Sequence, residues 1–475
     1  MGFAEAQLEG TVAGFNMLAR NRVAYVADEV GMGKTFECIA AAREAGLEKG
    51  PHLVAAGVTH LLATWLPALS RHERRFQVLT GATPSERTWA CHQARDMAEA
   101  GMTFWLLVNH DMLRSHADLL GSIPWSTAII DEYRKVGLSN PKTQLAKGAR
   151  RIKAERKWAL SGTPMGGRLW NLWGALNWVD REAFPSRWRW LDEWGEHKPN
   201  YFAGSGKTFT GRIARGKEQE FYKALAPWLI RRRKREHMPE LPPIATPEPT
   251  LCHLSGLQRR MYDELVQEGE VRVESRYVAA DGVLAELTRL KQIATAPLTP
   301  GGMGADSGKL EALLENLADV GIRNADEEEG DDKAVVVSQF PSMFPAWREW
   351  LAGQGIDALV LSGAEDPLER LEAQRSFQGS GPRVLFISYG AGGSGIDLDR
   401  ADHIHVMDET WDPDDLEQAV GRLDRGRPHP ITVYRYISEG TIDEYVAEVG
   451  VGKALTSGEA LELYRLVFRA REARR

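Results

Sequence analysis

Short apolar runs, spaced by longer and more polar segments, set the rhythm of this chain. RVAYVA (22–27) is followed by LVAAGV (53–58), FQVL (76–79), FWLLV (104–108), TAII (127–130) and RKWAL (156–160). Runs this short and this apolar, separated by helix-like segments, predict the strands of a parallel sheet buried on both faces. The pattern restarts with AVVVSQF (334–340), ALVLSG (358–363), RVLFISY (383–389), HIHVMD (403–408) and ITVYRYI (431–437). The expected fold class is therefore α/β, with two parallel-sheet lobes and small helical insertions.

The segments between the runs divide the chain further. From 165 to about 226 the sequence is rich in tryptophan, with Trp170, Trp173 and Leu176 at helical spacing and Trp178, Trp188, Trp190 and Trp194 beyond. This predicts a small helical subdomain whose tryptophans are core rather than a stacking platform. EHMPELPPIATPEPT (236–250) cannot continue a helix and reads as a linker. Residues 255–297 read as helical, and RNADEEEGDDK (323–333) as an acidic loop without metal-ligand spacing. The expected organisation is a first lobe (1–165), a helical insertion (166–228), a basic and proline-rich connection (229–250), a second helical insertion (251–305), a second lobe (306–450) and a basic C-terminal helix (451–475).

Composition changes this picture little. At 475 residues the chain is too long for a single core. Its best apolar run, 53–66, is interrupted by Thr59 and His60 and does not suit a bilayer span. The N-terminus lacks the layout of a secretion signal, so an intracellular location away from membranes is expected. Cys38, Cys91 and Cys252 are too scattered for a disulfide framework or a zinc site. Net charge is −7, yet basic residues cluster at Lys147, Arg150, Arg151, Lys153, Arg156 and Lys157, at Arg231 to Arg235, and at Arg469, Arg471, Arg474 and Arg475. Each cluster alone suits a solvated face; three on an acidic chain favour a positive groove.

The chemistry concentrates at a few places. ADEVGMGKT (27–35) joins a strand to a helix. Gly31 and Gly33 let backbone N–H groups turn inward, and the helix N-terminus adds partial positive charge. Lys34 would reach the β- and γ-phosphates of a nucleotide, and the Thr35 hydroxyl a magnesium ion. The first glycine of the general phosphate-loop pattern is replaced by Asp28. A second GSGKT (204–208) has no apolar strand before it and reads as a decoy. Asp131 and Glu132 close a buried strand, where carboxylates are costly without partners or work. A turn or cap pair is the plainer explanation, but with a separate phosphate loop upstream Asp131 suits the magnesium shell and Glu132 the attacking water. On the helix near 413–425, Gln418, Arg422 and Arg425 fall on one face; the arginines suit ion pairs or arginine fingers on a γ-phosphate. The glycine-rich GAGGSGIDL (390–398) reads as a loop in close backbone approach to phosphates or to a facing lobe.

Taken together, ADEVGMGKT, DEYR, SGTP, SQF, GAGGSGIDL and QAVGRLDR resemble, in order, the motifs of superfamily II helicase-like ATPases. IRRRKREHMPELPP, SGTPMGGRLWNLWGALNWV and DETWDP resemble the Swi/Snf-type branch, over residues from Gln7 to about Tyr445. The resemblance implies two RecA-like lobes, ATP and Mg2+ as cofactors, and translocation on double-stranded DNA, with a monomer on DNA as the expected state and possible protein partners left open. By position, Gln7 with Gly10 resembles an adenine-reading motif, and Gln418 joins the nucleotide-binding candidates. His60-Leu61-Leu62 with Trp65, and Asn109-His110-Asp111, fall where DNA-contacting motifs lie. Arg134 replaces the histidine or aspartate usual in the fourth position of the DExH box, Asp397 replaces a common asparagine, and Gly426-Arg427-Pro428 follows Arg425. Two other readings stay open: a strand-separating helicase on DNA or RNA, and a nucleic-acid clamp that binds ATP but hydrolyses it poorly.

Overall fold

The computed structural model describes residues 14, 18, 23–44, 50–73, 75–163, 165, 168–199, 207–237, 241–268, 270–273, 276–279, 283–299, 302–303, 306–323, 330–363, 365–389, 396–410, 413–424 and 429–450. The chain divides into two units, the first running to Leu241 and the second from Pro242.

The strands of unit 1 are β1 (Val23–Val26), β2 (His52–Ala56), β3 (Gln77–Leu79), β4 (Phe104–Asn109), β5 (Trp125–Asp131), β6 (Ala154–Leu160), β7 (Gly195–Pro199), β8 (Lys207–Ile213) and β9 (Leu229–Ile230). Seven form one all-parallel sheet in the order β3-β4-β2-β5-β6-β1-β9. The apolar runs are buried on both sides because alternate residues enter different cores. Leu53, Ala55, Leu106, Val108, Ala128 and Ile130 face one. Val54, Ala56, Trp105, Leu107 and Ile129 face the other.

The tryptophan-rich insertion is only partly helical. Helix α1 (Lys34–Glu44) follows β1, and α2 (Leu169–Val179) opens the insertion, followed by a helix at Arg187–Trp194. Trp173, Trp178, Trp190 and Trp194 are buried as expected, whereas Trp188 is 60% exposed. Beyond these helices β7 and β8 form an antiparallel pair. Phe209 and Ile213, two of the alternate residues of KTFTGRI, pack against the core, and that short period-two signal outweighs the helical context. Lys207 and Thr208 of the second GKT therefore lie in a strand, with no helix N-terminus to offer an anion.

Unit 2 contains β10 (Ile244–Ala245), β11 (Thr250–Cys252), β12 (Glu270–Val273), β13 (Arg276–Ala279), β14 (Leu298–Thr299), β15 (Gly302–Met303), β16 (Ala334–Ser338), β17 (Ala358–Leu361), β18 (Val384–Ser388), β19 (His403–Val406) and β20 (Ile431–Ser438). Its main sheet is again parallel, in the order β10-β20-β19-β16-β18-β17, with β11 also on β20. The proline-rich connection thus contributes two short strands. Its prolines flank the paired residues instead of interrupting them, as an edge allows. The region 255–297 likewise holds an antiparallel hairpin, β12 with β13, between its helices.

Helices α3 (Val283–Thr295) and α4 (Gly308–Asp319) send buried lysines to the end of β19. Lys291 Nζ donates to the Glu409 carbonyl; Lys309 Nζ donates to the Met407 carbonyl at 2.7 Å and pairs with Asp443. Burial lowers the Lys291 ammonium to about 8. Asp408, whose pKa burial raises, accepts from Ser338 Oγ, from Gln339 N at 3.0 Å and from Gln339 Nε2 at 2.8 Å. These contacts offset much of the desolvation cost of the buried turn, although Asp443 Oδ1 is buried with no hydrogen-bond partner.

On the sheet itself, His405 stacks on Tyr434 with ring centroids 4.8 Å apart and its Nδ1 lies 2.8 Å from the Tyr436 hydroxyl. Burial lowers its pKa to about 3. As pH falls below about 6.5 the unfolded chain takes up a proton that folded His405 refuses, so its stabilising contribution, full at neutral pH, is lost with a slope approaching 1.4 kcal/mol per unit. Urea unfolding at pH 7 and pH 5 should show that loss, and His405→Phe, which keeps the stack, should reduce it.

Candidate active site

The registers of unit 1 align its strand ends. Val26 of β1 and Asp131 of β5 both pair with Leu160 of β6, and Val26 also pairs with Ile230 of β9. On the far side Ala56 of β2 pairs with Asn109 of β4, and Ala55 pairs with Ile130. Because every strand runs the same way, each chain leaves the sheet at one edge: ADEVGMGKT after β1, Ser161-Gly162-Thr163 after β6, Asp131-Glu132 at the end of β5, the segment holding His60 after β2, His110 after β4, and Arg232 after β9. This carboxyl edge is where open α/β sheets hold ligands. Two strand spacings separate Val26 from Asp131, about 10 Å.

The phosphate loop has the backbone its glycines predict, with Gly31 at φ +88° and Gly33 at +92°. Lys34 Nζ lies against the loop itself, donating to the carbonyls of Asp28 at 2.7 Å and Glu29 at 3.0 Å. Asp28, at the position of the missing glycine, is buried and bound to Arg232: Arg232 N donates to its Oδ1 at 2.7 Å and Nε to its Oδ2 at 3.1 Å, while Nη2 reaches both Asp28 and Glu37. Burial, and then Asp28 sharing the same guanidinium, push the Glu37 carboxyl up to about 8. A Cβ at Gly14 would clash with the Glu37 carboxyl, so the chain closes directly over this cluster. The Lys234 amide donates to Glu29 at 2.9 Å.

Two residues of the basic run at 231–235 are therefore withdrawn from solvent. Arg232 and Lys234 are buried and Arg231 and Arg233 exposed; residues 231–233 follow β9, and Lys234 opens a short helix, Lys234–His237. The cluster at 147–157 is partly spent inside unit 1. Arg150 donates to Leu138 and Asn177, Arg151 pairs with Asp118, Arg156 reaches Leu18, and Lys157 lies over Trp178. The exposed members of these two clusters are Lys147, Arg151, Lys153, Arg231 and Arg233. The third, at 469–475, lies outside the described residues.

Asp131, like Asp28, is held by several donors. His60 Nε2 lies 2.7 Å and Trp65 Nε1 3.0 Å from its Oδ2; the Glu132 amide donates to Oδ1 at 2.9 Å. His110 Nε2 is 2.8 Å from its carbonyl. Burial acts to raise its pKa, but His60, Trp65 and Lys34 outweigh burial and pull it down to about 2. Glu132 is shifted the other way, by burial and by the charge of Asp131. Among the described residues it is the one non-glycine with positive φ, at +49°. Such a conformation costs about 1–2 kcal/mol. The segments expected to meet DNA thus place Trp65, fully buried, and the rings of His60 and His110 against Asp131. Arg134 donates to Thr163 Oγ1 at 2.9 Å. The unusual residue of the DExH box therefore joins the carboxylate segment to the SGT segment.

Thr35 and Asp131 offer hard oxygens of the kind magnesium takes, to be completed by phosphate and water. Among the described residues no group of three or more His, Cys, Asp or Glu could hold a metal ion. In unit 2, Gln418 and Arg422 lie on α5 (Pro413–Leu423), with Arg422 buried and its carbonyl accepting from Leu398 N at 3.1 Å. Gln7, Arg425, most of GAGGSGIDL and the segment 451–475 lie outside the described residues.

A glycine-rich loop opening a helix beside a strand-terminal Asp-Glu pair, in one of two parallel α/β units, defines a helicase-like nucleotide hydrolase. The chain belongs to the SNF2-related family: residues 15–298 match the SNF2-related domain, and 308–427 match the helicase conserved C-terminal domain. It is 26% identical, over 90% of its length, to an uncharacterized ATP-dependent helicase of Mycoplasma pneumoniae, and covers 39% of that protein. It is 27% identical over 89% of its length to Bacillus subtilis YwqA, whose name assigns it provisionally to ATP-dependent helicases/translocases, and covers 45% of it. The chain thus spans less than half the length of these relatives. Among solved structures it is similar to the Sulfolobus solfataricus SWI2/SNF2 ATPase core in complex with dsDNA, at 20% identity and a TM-score of 0.41, covering 97% of this chain and 96% of that one.

Arg232→Ala would leave Asp28 buried without its counter-charge, a change that costs about 3–5 kcal/mol. The exposed neighbour Arg233→Ala should stay within about 0.5 kcal/mol. Urea unfolding of the two variants checks the contrast.

Proposed function

We propose that the chain hydrolyses ATP at the carboxyl edge of the unit 1 sheet and uses the energy to move along double-stranded DNA. The observation that carries the hydrolysis is the shared row of Val26, Leu160 and Asp131, which sets the phosphate loop and the Asp-Glu pair on one edge. Lys34, the loop N–H groups and the N-terminus of α1 bind the phosphates. Thr35 and Asp131 hold magnesium, which supplies Lewis-acid stabilisation of phosphate charge. Glu132, its affinity for protons raised, takes the proton of the water that attacks the γ-phosphorus as the bond to the β-phosphate oxygen breaks and ADP leaves. Gly31 and Gly33 keep the loop open to phosphate, Gln7 and Gln418 contact the nucleotide, and Arg422 and Arg425 neutralise the γ-phosphate in the role of arginine fingers.

Movement on duplex DNA rests on family membership and on the translocase relative, and the chain acts as a monomer inside the cell. No helix among the described residues is long and apolar enough to cross a membrane.

Steady-state ATP hydrolysis is measured alone and with duplex DNA, single-stranded DNA and RNA. Stimulation chiefly by duplex is expected. Glu132→Gln should lower turnover by about 10²–10⁴ while leaving nucleotide binding intact. Stimulation by single strands or RNA would favour strand separation, and binding without turnover would favour a clamp.

A further inference from the structure

We propose that His60 is a positioning residue for the Asp131 carboxylate, and that a π turn in the following helix sets His60 and Trp65 on one face for this purpose. The inference rests on the reading of Asp131 as a magnesium-holding residue. Residues 58–72 form one continuous helical stretch, interrupted at Leu61–Trp65 by a π turn in which the Leu66 amide bonds back to the Leu61 carbonyl. In a regular α-helix residues five apart point about 140° away from each other. A turn bonded i to i+5 brings them nearly above one another. His60 and Trp65 are five apart, and both approach the same oxygen, Asp131 Oδ2, at 2.7 and 3.0 Å. Without the π turn, one of the two would face away.

The arrangement decides what the carboxylate has left to offer. An ionised carboxylate has about four acceptor positions. Oδ2 takes His60 and Trp65, and Oδ1 takes the Glu132 amide. One position remains, on Oδ1, and the carboxylate cannot rotate to offer another without losing buried hydrogen bonds. Trp65 spends its N–H here with a fully buried ring. His60 Nδ1 is buried with no hydrogen-bond partner, so the ring's described polar contact is Asp131 and its proton belongs on Nε2. His110 fixes the same residue through its carbonyl. Groups that orient a metal-holding carboxylate typically account for about 10–100-fold in metal affinity or activity.

The test titrates the full chain with a fluorescent ADP analogue, with Mg2+ and with EDTA. Wild type should bind more tightly with Mg2+. His60→Ala should cut that gain by about 10-fold or more and leave affinity in EDTA unchanged. His60→Gln, which keeps an N–H donor of similar reach, should recover most of the gain, and Trp65→Phe should lose part of it. A full gain in His60→Ala, or equal weakening with and without Mg2+, would overturn the proposal. Should His60→Ala not fold, His60→Gln and Trp65→Phe are read by the same criterion, a retained full gain in Trp65→Phe counting against it. No gain in wild type would instead refute the reading of Asp131 and remove the proposal with it.

Discussion

An all-parallel sheet buried on both faces leaves polar groups few places to go, and in unit 1 that constraint organises everything else. Its strands are apolar on both sides, so side chains that must meet water or ligand are pushed to the strand ends. Since all strands run the same way, the six chain segments that leave β1, β2, β4, β5, β6 and β9 emerge along one edge. The chemistry of the molecule is gathered by this geometry. The registers of Val26, Asp131 and Ile230 bring together residues more than 200 positions apart in sequence.

Crowding so many charges on one edge has a cost, and the structure meets it by pairing. Asp28 and Glu37 share Arg232, while Asp131 takes donors from His60, Trp65 and the backbone. The outcome is two neighbouring carboxyls with opposite tendencies. Asp131 is held as an anion, and Glu132, strained and short of donors, is drawn toward the proton. Two titratable groups pushed apart by their surroundings are the usual sign of divided labour between charge stabilisation and proton transfer.

Arg232 also shows how a connecting segment becomes part of a site. It belongs to a basic run that looks like a surface feature, yet its side chain is buried beneath the phosphate loop. Any movement of the chain after β9 would act on Asp28 and, through Lys234, on Glu29. In unit 2, Lys291 and Lys309 likewise carry charge inward to satisfy the end of β19.

Much was legible in the chain itself. Apolar runs of five or so residues announced the strands, because a strand buried on both faces has no polar alternation to obscure it. The loop glycines, Lys34, Thr35, Asp131 and Glu132 were legible as candidates because their spacing relative to those runs carries chemical meaning. Short edge strands such as β10 and β11 were hidden, since two or three residues among prolines carry no period. The hairpin β7–β8 was hidden by the helical pattern around it. Partnerships across the sheet were also beyond reach: Arg232 with Asp28, Arg134 with Thr163, and His60 and Trp65 with Asp131. Each depends on strand order and register, which no local pattern encodes, and the last depends in addition on one π turn. Local sequence determined which residues lie at strand ends; only the packing of the sheet decided which ends are neighbours, because hydrogen bonding between distant strands sets that distance.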